Sequence, residues 1–224
     1  MKCFSTALVG GLVLTLTSSG FSSLIDITQD PNEFDQSAWG RPNTVIYAQG
    51  VVADDVLFSL IEMRASWTGG GPILFNVMVT GSRAGGGGLG FEPDMTDIRY
   101  NSGQRQIPVG GVRTLTVVDP NLAVTVGERL FVVFESFSYP NSGVGTMVAT
   151  QFNGPNDWYL PGEFVFVNTG NEQNLGDFNN ANWGHRFGNN EDLALKMEFK
   201  IPAPATAALL GLAGFVVRRR RRRA

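Results

Sequence analysis

This sequence predicts an all-β fold, an antiparallel β-sandwich, and three observations predict it. Apolar and polar residues alternate with period two through the middle of the chain, the pattern of strands with one buried face. Gly, Pro, Asn and Asp clusters interrupt those stretches at short, regular intervals. Glycine supplies 28 of the 224 residues, close to twice its usual share of roughly 7%. A chain of this length holds one substantial core, and its hydrophobic content of 43% suits a folded domain rather than a disordered one.

In chain order, residues 1–22 read as a secretory signal helix. Lys2 precedes an apolar stretch at 7–16, and Gly20 and Ser22 are small enough for cleavage after Ser22. The one cysteine, Cys3, lies inside that segment, so a processed chain carries no thiol and no disulfide. The domain is expected to occupy 23–200, with an early pair of strands around 45–53. Val56, Leu60 and Met63 fit one helical face, but the strict alternation Ile61, Met63, Ala65, Trp67 is longer, so 55–64 is read as loop then strand. Ile73, Phe75, Val77 and Val79 make a second such face, and Leu115 and Val117 mark a third within 112–118. The run 129–137 is β-branched and aromatic on both faces, which predicts a central strand. Strands at 145–152, 163–168 and 193–200 follow, about eight to ten in all. That number of short antiparallel strands, regularly spaced, points to a jelly roll.

Residues 201–224 form a different kind of segment. Pro202, Ala203 and Pro204 lead into an apolar stretch, 205–217, and then into Arg218, Arg219, Arg220, Arg221, Arg222 and Arg223. A proline-bounded spacer, an apolar helix and a basic stop together form a membrane-held tail, with the arginines on the cytoplasmic side. Thirteen residues span roughly 20 Å as a helix, short of a hydrocarbon core of about 30 Å, which suits a temporary hold. This tail resembles the PEP-CTERM sorting domain, with Pro202, Ala203 and Pro204 in the place of its Pro-Glu-Pro signature. The resemblance implies export followed by processing by an exosortase, a membrane-embedded cysteine transpeptidase; Ala203 departs from the family's usual Glu. A weaker resemblance links the domain to jelly rolls of carbohydrate-binding-module type. It rests on Leu122, Val124, Val126, Gly127, Leu130 and Val132, on Asp54 and Asp55 ahead of the strand ending in Trp67, and on 161–168.

Charge narrows the partners. Lys2 and the six terminal arginines account for seven of the 17 basic residues, so the span between them carries ten against 20 acids, a formal charge of −10. Such a surface repels nucleic acid and anionic lipid.

No constellation stands out as catalytic. The Gly-rich stretch 81–90 lacks the Lys-Ser/Thr of a phosphate loop and reads as an inter-strand loop. The single histidine, His185, has no cysteine to share a zinc site with and no Gly-x-Ser-x-Gly elbow to serve. Acids cluster at Asp54-Asp55, at Glu92, Asp94 and Asp97, and at Glu191-Asp192, where a hydrolytic pair or a calcium site would be sought. The run from Asp177 through Asn179, Asn180 and Asn182 starts like a calcium loop but lacks the later Gly and Glu. Trp158, Tyr159 and Trp183 lie in polar loops, where their rings would stack on a sugar. The expectation is a non-enzymatic surface or matrix protein that needs no cofactor. Its partners would be an exosortase, the membrane through its tail, and extracellular polysaccharide. A glycan hydrolase or lyase using loop carboxylates and a calcium-dependent adhesion module are the alternatives.

Overall fold

Strands as short as these gain little alone and are stable only when their apolar faces close on one another. A computed structural model describes residues 22–28, 33–85, 90–111, 114–150, 159–168, 172–185 and 191–201, without the side chains of 37, 38, 114–117 and 185. All belong to one compact unit, Phe21–Ile201. The segments read as signal and sorting tail lie outside the described residues.

Fourteen strands are described. The first seven are β1 (Ser22–Asp26), β2 (Phe34–Trp39), β3 (Thr44–Val52), β4 (Leu57–Gly69), β5 (Ile73–Ala84), β6 (Phe91–Asn101) and β7 (Arg105–Ile107). The rest are β8 (Thr114–Val118), β9 (Leu122–Ala123), β10 (Arg129–Glu135), β11 (Val144–Ala149), β12 (Phe164–Asn168), β13 (Gly184–His185) and β14 (Leu195–Lys200). Among the described residues the helical element is one short 3-10 turn, Leu175–Asn180. The all-β prediction therefore holds.

Hydrogen-bond pairing divides the strands into two antiparallel sheets. In the first, β4 is central. It takes β14 and β11 end to end along one edge and β9 and β8 along the other, while β1 and β2 extend the β14/β11 side. The second sheet runs β13, β12, β3, β10, β5, with β6 and β7 end to end along the last edge. The sheets meet at one parallel pair, Trp39 with Thr44, where β2 turns into β3. Gly40 makes that corner at φ +112°, and a Cβ there would lie 2.5 Å from the Gly143 carbonyl oxygen, so only glycine fits.

The inner faces supply the main core. Phe58, Ile61, Met63, Met147, Met197 and Phe199 of the first sheet oppose Tyr47, Val51, Phe75, Val77, Val132 and Phe134 of the second. Trp39 closes the corner edge-to-face on Phe75, with ring centroids 5.1 Å apart. β10 shows why its sequence is apolar throughout: Leu130, Val132 and Phe134 point into this core, and Phe131 and Val133 point the other way. That outer face is a second core, in which Val45, Ile46, Ala48, Met78, Val165 and Val167 lie beneath Met95, Phe137, Phe178 and Trp183. The segment around the 3-10 turn thus acts as a strap over the second sheet. Asn179 fastens it to β6: its amide donates to Asp94 Oδ1 at 2.9 Å, and its Oδ1 accepts from the Met95 N–H at 2.7 Å. The first sheet's outer face is polar instead, with ion pairs Arg64–Glu33, Lys196–Glu62 and Lys200–Glu198.

Several boundaries differ from the sequence reading. The stretch 45–53 is one long strand, β3, and the loop expected at 81–90 is partly strand, since β5 runs on to Ala84. β6 had no sequence signal because Pro93 and its acids break the alternation; Pro93 is tolerated because β6 lies at a sheet edge.

Candidate functional site

Of the three aromatic residues expected to stack on a sugar, the structure describes Tyr159 and Trp183. Trp158 lies outside the described residues. Trp183 is buried to 3% exposure in the strap core, and its indole N–H donates to the Phe178 carbonyl at 3.0 Å, so its ring offers no open face. Tyr159 is half-buried against the main core. Its hydroxyl accepts from the Val52 N–H at 2.9 Å and donates to the Val52 carbonyl at 3.3 Å. Burial, with the nearby charges of Asp54 and Asp192, pushes the Tyr159 phenol up to about 12, so it stays protonated at neutral pH. Pro202, Ala203, Pro204 and the arginine cluster lie outside the described residues, and so does the side chain of His185.

Beneath Tyr159 is a polar bridge between the sheets. Gln49 lies on the inner face of β3 and is fully buried. Its Nε2 donates to Asp192 Oδ1 at 2.6 Å and its Oε1 accepts from the Leu193 N–H at 2.9 Å. Asp192 Oδ2 accepts from the Tyr159 N–H at 3.0 Å, while the Asp192 N–H donates to Thr150 Oγ1 at 2.9 Å. Every one of these contacts joins distant parts of the chain, and the arrangement is a structural lock. A sequence alone gives no signal for a pair 143 residues apart.

Glu92, Asp94, Asp97, Asp177 and Asp55 are likewise engaged. Glu92 pairs with Arg83 at 2.7 Å, and Asp97 with Arg99 at 2.9 Å. Asp94 accepts from the Thr96 hydroxyl, Asn179 and the Thr96 N–H, which hold its carboxyl down to about 2. Asp177 accepts from the backbone of Gln173 and Asn174, capping the 3-10 turn; those bonds lower its pKa. Asp55 accepts from the Val56 N–H at 2.7 Å. Among the described residues no three His, Cys, Asp or Glu side chains are grouped to hold a metal ion.

Glu135 is a buried carboxyl that the sequence does not single out. Glu135 accepts from Asn76 Nδ2 at 2.9 Å and from the Ser138 N–H, and the Tyr139 hydroxyl donates to Asn76 Oδ1 at 2.7 Å. Burial raises its pKa against these donors. The network closes the loop after β10.

An open cleft of about 390 Å³ does lie at the β12–β13 edge, lined by Phe166, Val167, Asn168, Glu172, Ala181, Asn182 and Gly184. Gly184 lets its backbone rest on the Phe166 ring, where a Cβ would come within 2.5 Å. An aromatic floor rimmed by two amides and one carboxylate suits a neutral polar ligand.

No family model matches this chain and no curated protein does. Among solved structures, a chain from the Gt strain of infectious bursal disease virus matches at 12% identity, covering 90% of this chain and 48% of that one, with a TM-score of 0.24. This chain thus spans about half the length of that viral chain, and a TM-score this low supports no inference about fold or role.

Proposed function

We propose that this chain is an exported, non-enzymatic jelly-roll protein. An exosortase-type transpeptidase would sort it to the cell surface or the exopolysaccharide matrix, where its role is structural or glycan-contacting. The observation that carries the reading is the sequence of the tail, running from Pro202, Ala203 and Pro204 through the apolar stretch 205–217 to the six arginines. On this reading 1–22 and 205–217 are helices outside the domain, the first removed on export and the second held briefly in the membrane.

The jelly-roll assignment is supported by connectivity. Taking β1 with β2, β6 with β7, β8 with β9, and β11 with β14 as single interrupted strands, one sheet reads first, last, third, sixth in chain order. The other reads second, seventh, fourth, fifth, with β12 and β13 added beside β3. Two four-stranded sheets interleaved in this way are the jelly-roll arrangement. The non-enzymatic reading is supported by acids already occupied in ion pairs, caps and the Gln49–Asp192 bridge. If the domain contacts glycan, the Phe166 cleft is the best place for one neutral sugar residue.

Fractionation of host cells tests the proposal, comparing the full chain with one ending at Ile201. The full chain should be retained at the envelope or in the matrix and the shortened one shed into the medium. Identical distributions would overturn the sorting role of the tail.

A further inference from the structure

Of eight large apolar side chains exposed among the described residues, five gather at one end of the sandwich: Val56, Phe91, Val126, Leu160 and Ile201, between 37% and 74% exposed. Strand register places them there. Leu57 pairs with Lys200 and with Ala123, so Val56 and Ile201 are the next residues outward. The turn bearing Val126 is tied to the same edge, with Val124 N–H donating to the Val56 carbonyl and Gly127 N–H to the Ala53 carbonyl. Across the core, Arg129 pairs with Val52, lies 4.4 Å from the Phe91 ring centroid, and donates to the Pro161 carbonyl at 2.7 Å. Leu160 therefore lies at the same end. Leu24 and Ile98 lie on strands, and Val109 alone is at the opposite end, two residues from Gly111, whose carbonyl accepts from the Trp67 N–H.

Isolated exposed apolar residues are ordinary; their concentration at one end is the informative feature. The domain's last strand also finishes at this end. After Ile201 only residues 202–204 precede the apolar stretch. Three residues reach at most about 10 Å. A bilayer holding residues 205–217 would therefore be within reach of the apolar end. We infer that this end, led by Leu160 and Val126, docks on the interface of a zwitterionic lipid bilayer. The occupant is a neutral lipid surface because the acidic domain disfavours anionic lipid. The inference rests on the membrane-held tail proposed above.

The test uses the full chain with Cys3→Ser and one added cysteine, Leu160→Cys, Val126→Cys or Val109→Cys, each carrying an environment-sensitive dye. All three positions are exposed, so the dye displaces no core. Each protein is mixed with phosphatidylcholine vesicles, with and without brominated acyl chains. All three should sediment with vesicles, and bromolipid should quench the dyes at 160 and 126 but not at 109. Sedimentation without quenching at 160 and 126, or equal quenching at all three, would overturn the docking inference and leave the tail reading intact. Failure to sediment would overturn the tail reading and the docking together. A vesicle-independent spectral shift at 160 with a doubled mass would assign the patch to contact between two copies, also against the inference.

Discussion

Replacing Asp192 with alanine removes the acceptor that two buried or half-buried donors share. Gln49 Nε2 would keep only its long 3.4 Å contact to the Gly50 carbonyl, and the Tyr159 N–H would lose this acceptor. An orphaned buried donor costs about 1–3 kcal/mol, so the expected loss is about 4 kcal/mol for the pair. For a domain of this size that is a fall in melting temperature of roughly 8–16 °C. Asp192→Asn separates hydrogen bonding from charge. Its amide must turn an NH2 toward either Gln49 Nε2 or the Tyr159 N–H. Flipping Gln49 moves the mismatch to the Leu193 N–H, which now donates to Gln49 Oε1. One donor is stranded in every arrangement, so Asn should cost about half as much as Ala. Thermal and denaturant unfolding of the three proteins measures this. A melting temperature for Asp192→Ala within about 2 °C of the parent would refute the idea that the bridge locks the sheets.

Other expectations follow from the same packing. Glu135 has a folded pKa above its unfolded value, so its protonated form contributes stability below the unfolded pKa, and that contribution is lost as pH rises through the folded one. Glu135→Gln should flatten that decline and melt higher than the parent at neutral pH, with Asn76 and Tyr139 reversing their shared bond; parallel stability curves would contradict this. Trp183→Ala empties the strap core and should cost about 3–5 kcal/mol in urea unfolding. An unchanged midpoint would mean that the ring is not buried in solution. Asn179→Ala removes one donor to Asp94, so the carboxyl should titrate above its present value of about 2 by NMR, and hydrogen exchange around the 3-10 turn should quicken. No movement in either would show that the strap is fastened elsewhere.

What the sequence made legible was whatever depends on local pattern. Alternation at Ile61 to Trp67 and at Ile73 to Val79 marked β4 and β5, and the apolar run at 129–137 marked the doubly buried β10. β6 escaped because an edge strand beside solvent tolerates Pro93, Asp94 and Asp97. The strap escaped for another reason. Its polar, Asn-rich sequence reads as loop, and only Leu175, Phe178, Ala181 and Trp183 hint that one side lies on a sheet. Trp183 reads from its loop as a candidate stacking ring, because loop composition says nothing of what covers the loop. Acids that read as candidate sites turned out to cap nearby backbone or pair with arginine, geometry that spacing does not fix.

The central claim concerns sorting, and the intact mass of the protein recovered from its host's surface fraction tests it most directly. The account predicts a mass lacking residues 1–22 and the Arg218 to Arg223 cluster, consistent with export and with processing in the tail. A surface-associated form that still ends at Ala224 would contradict it.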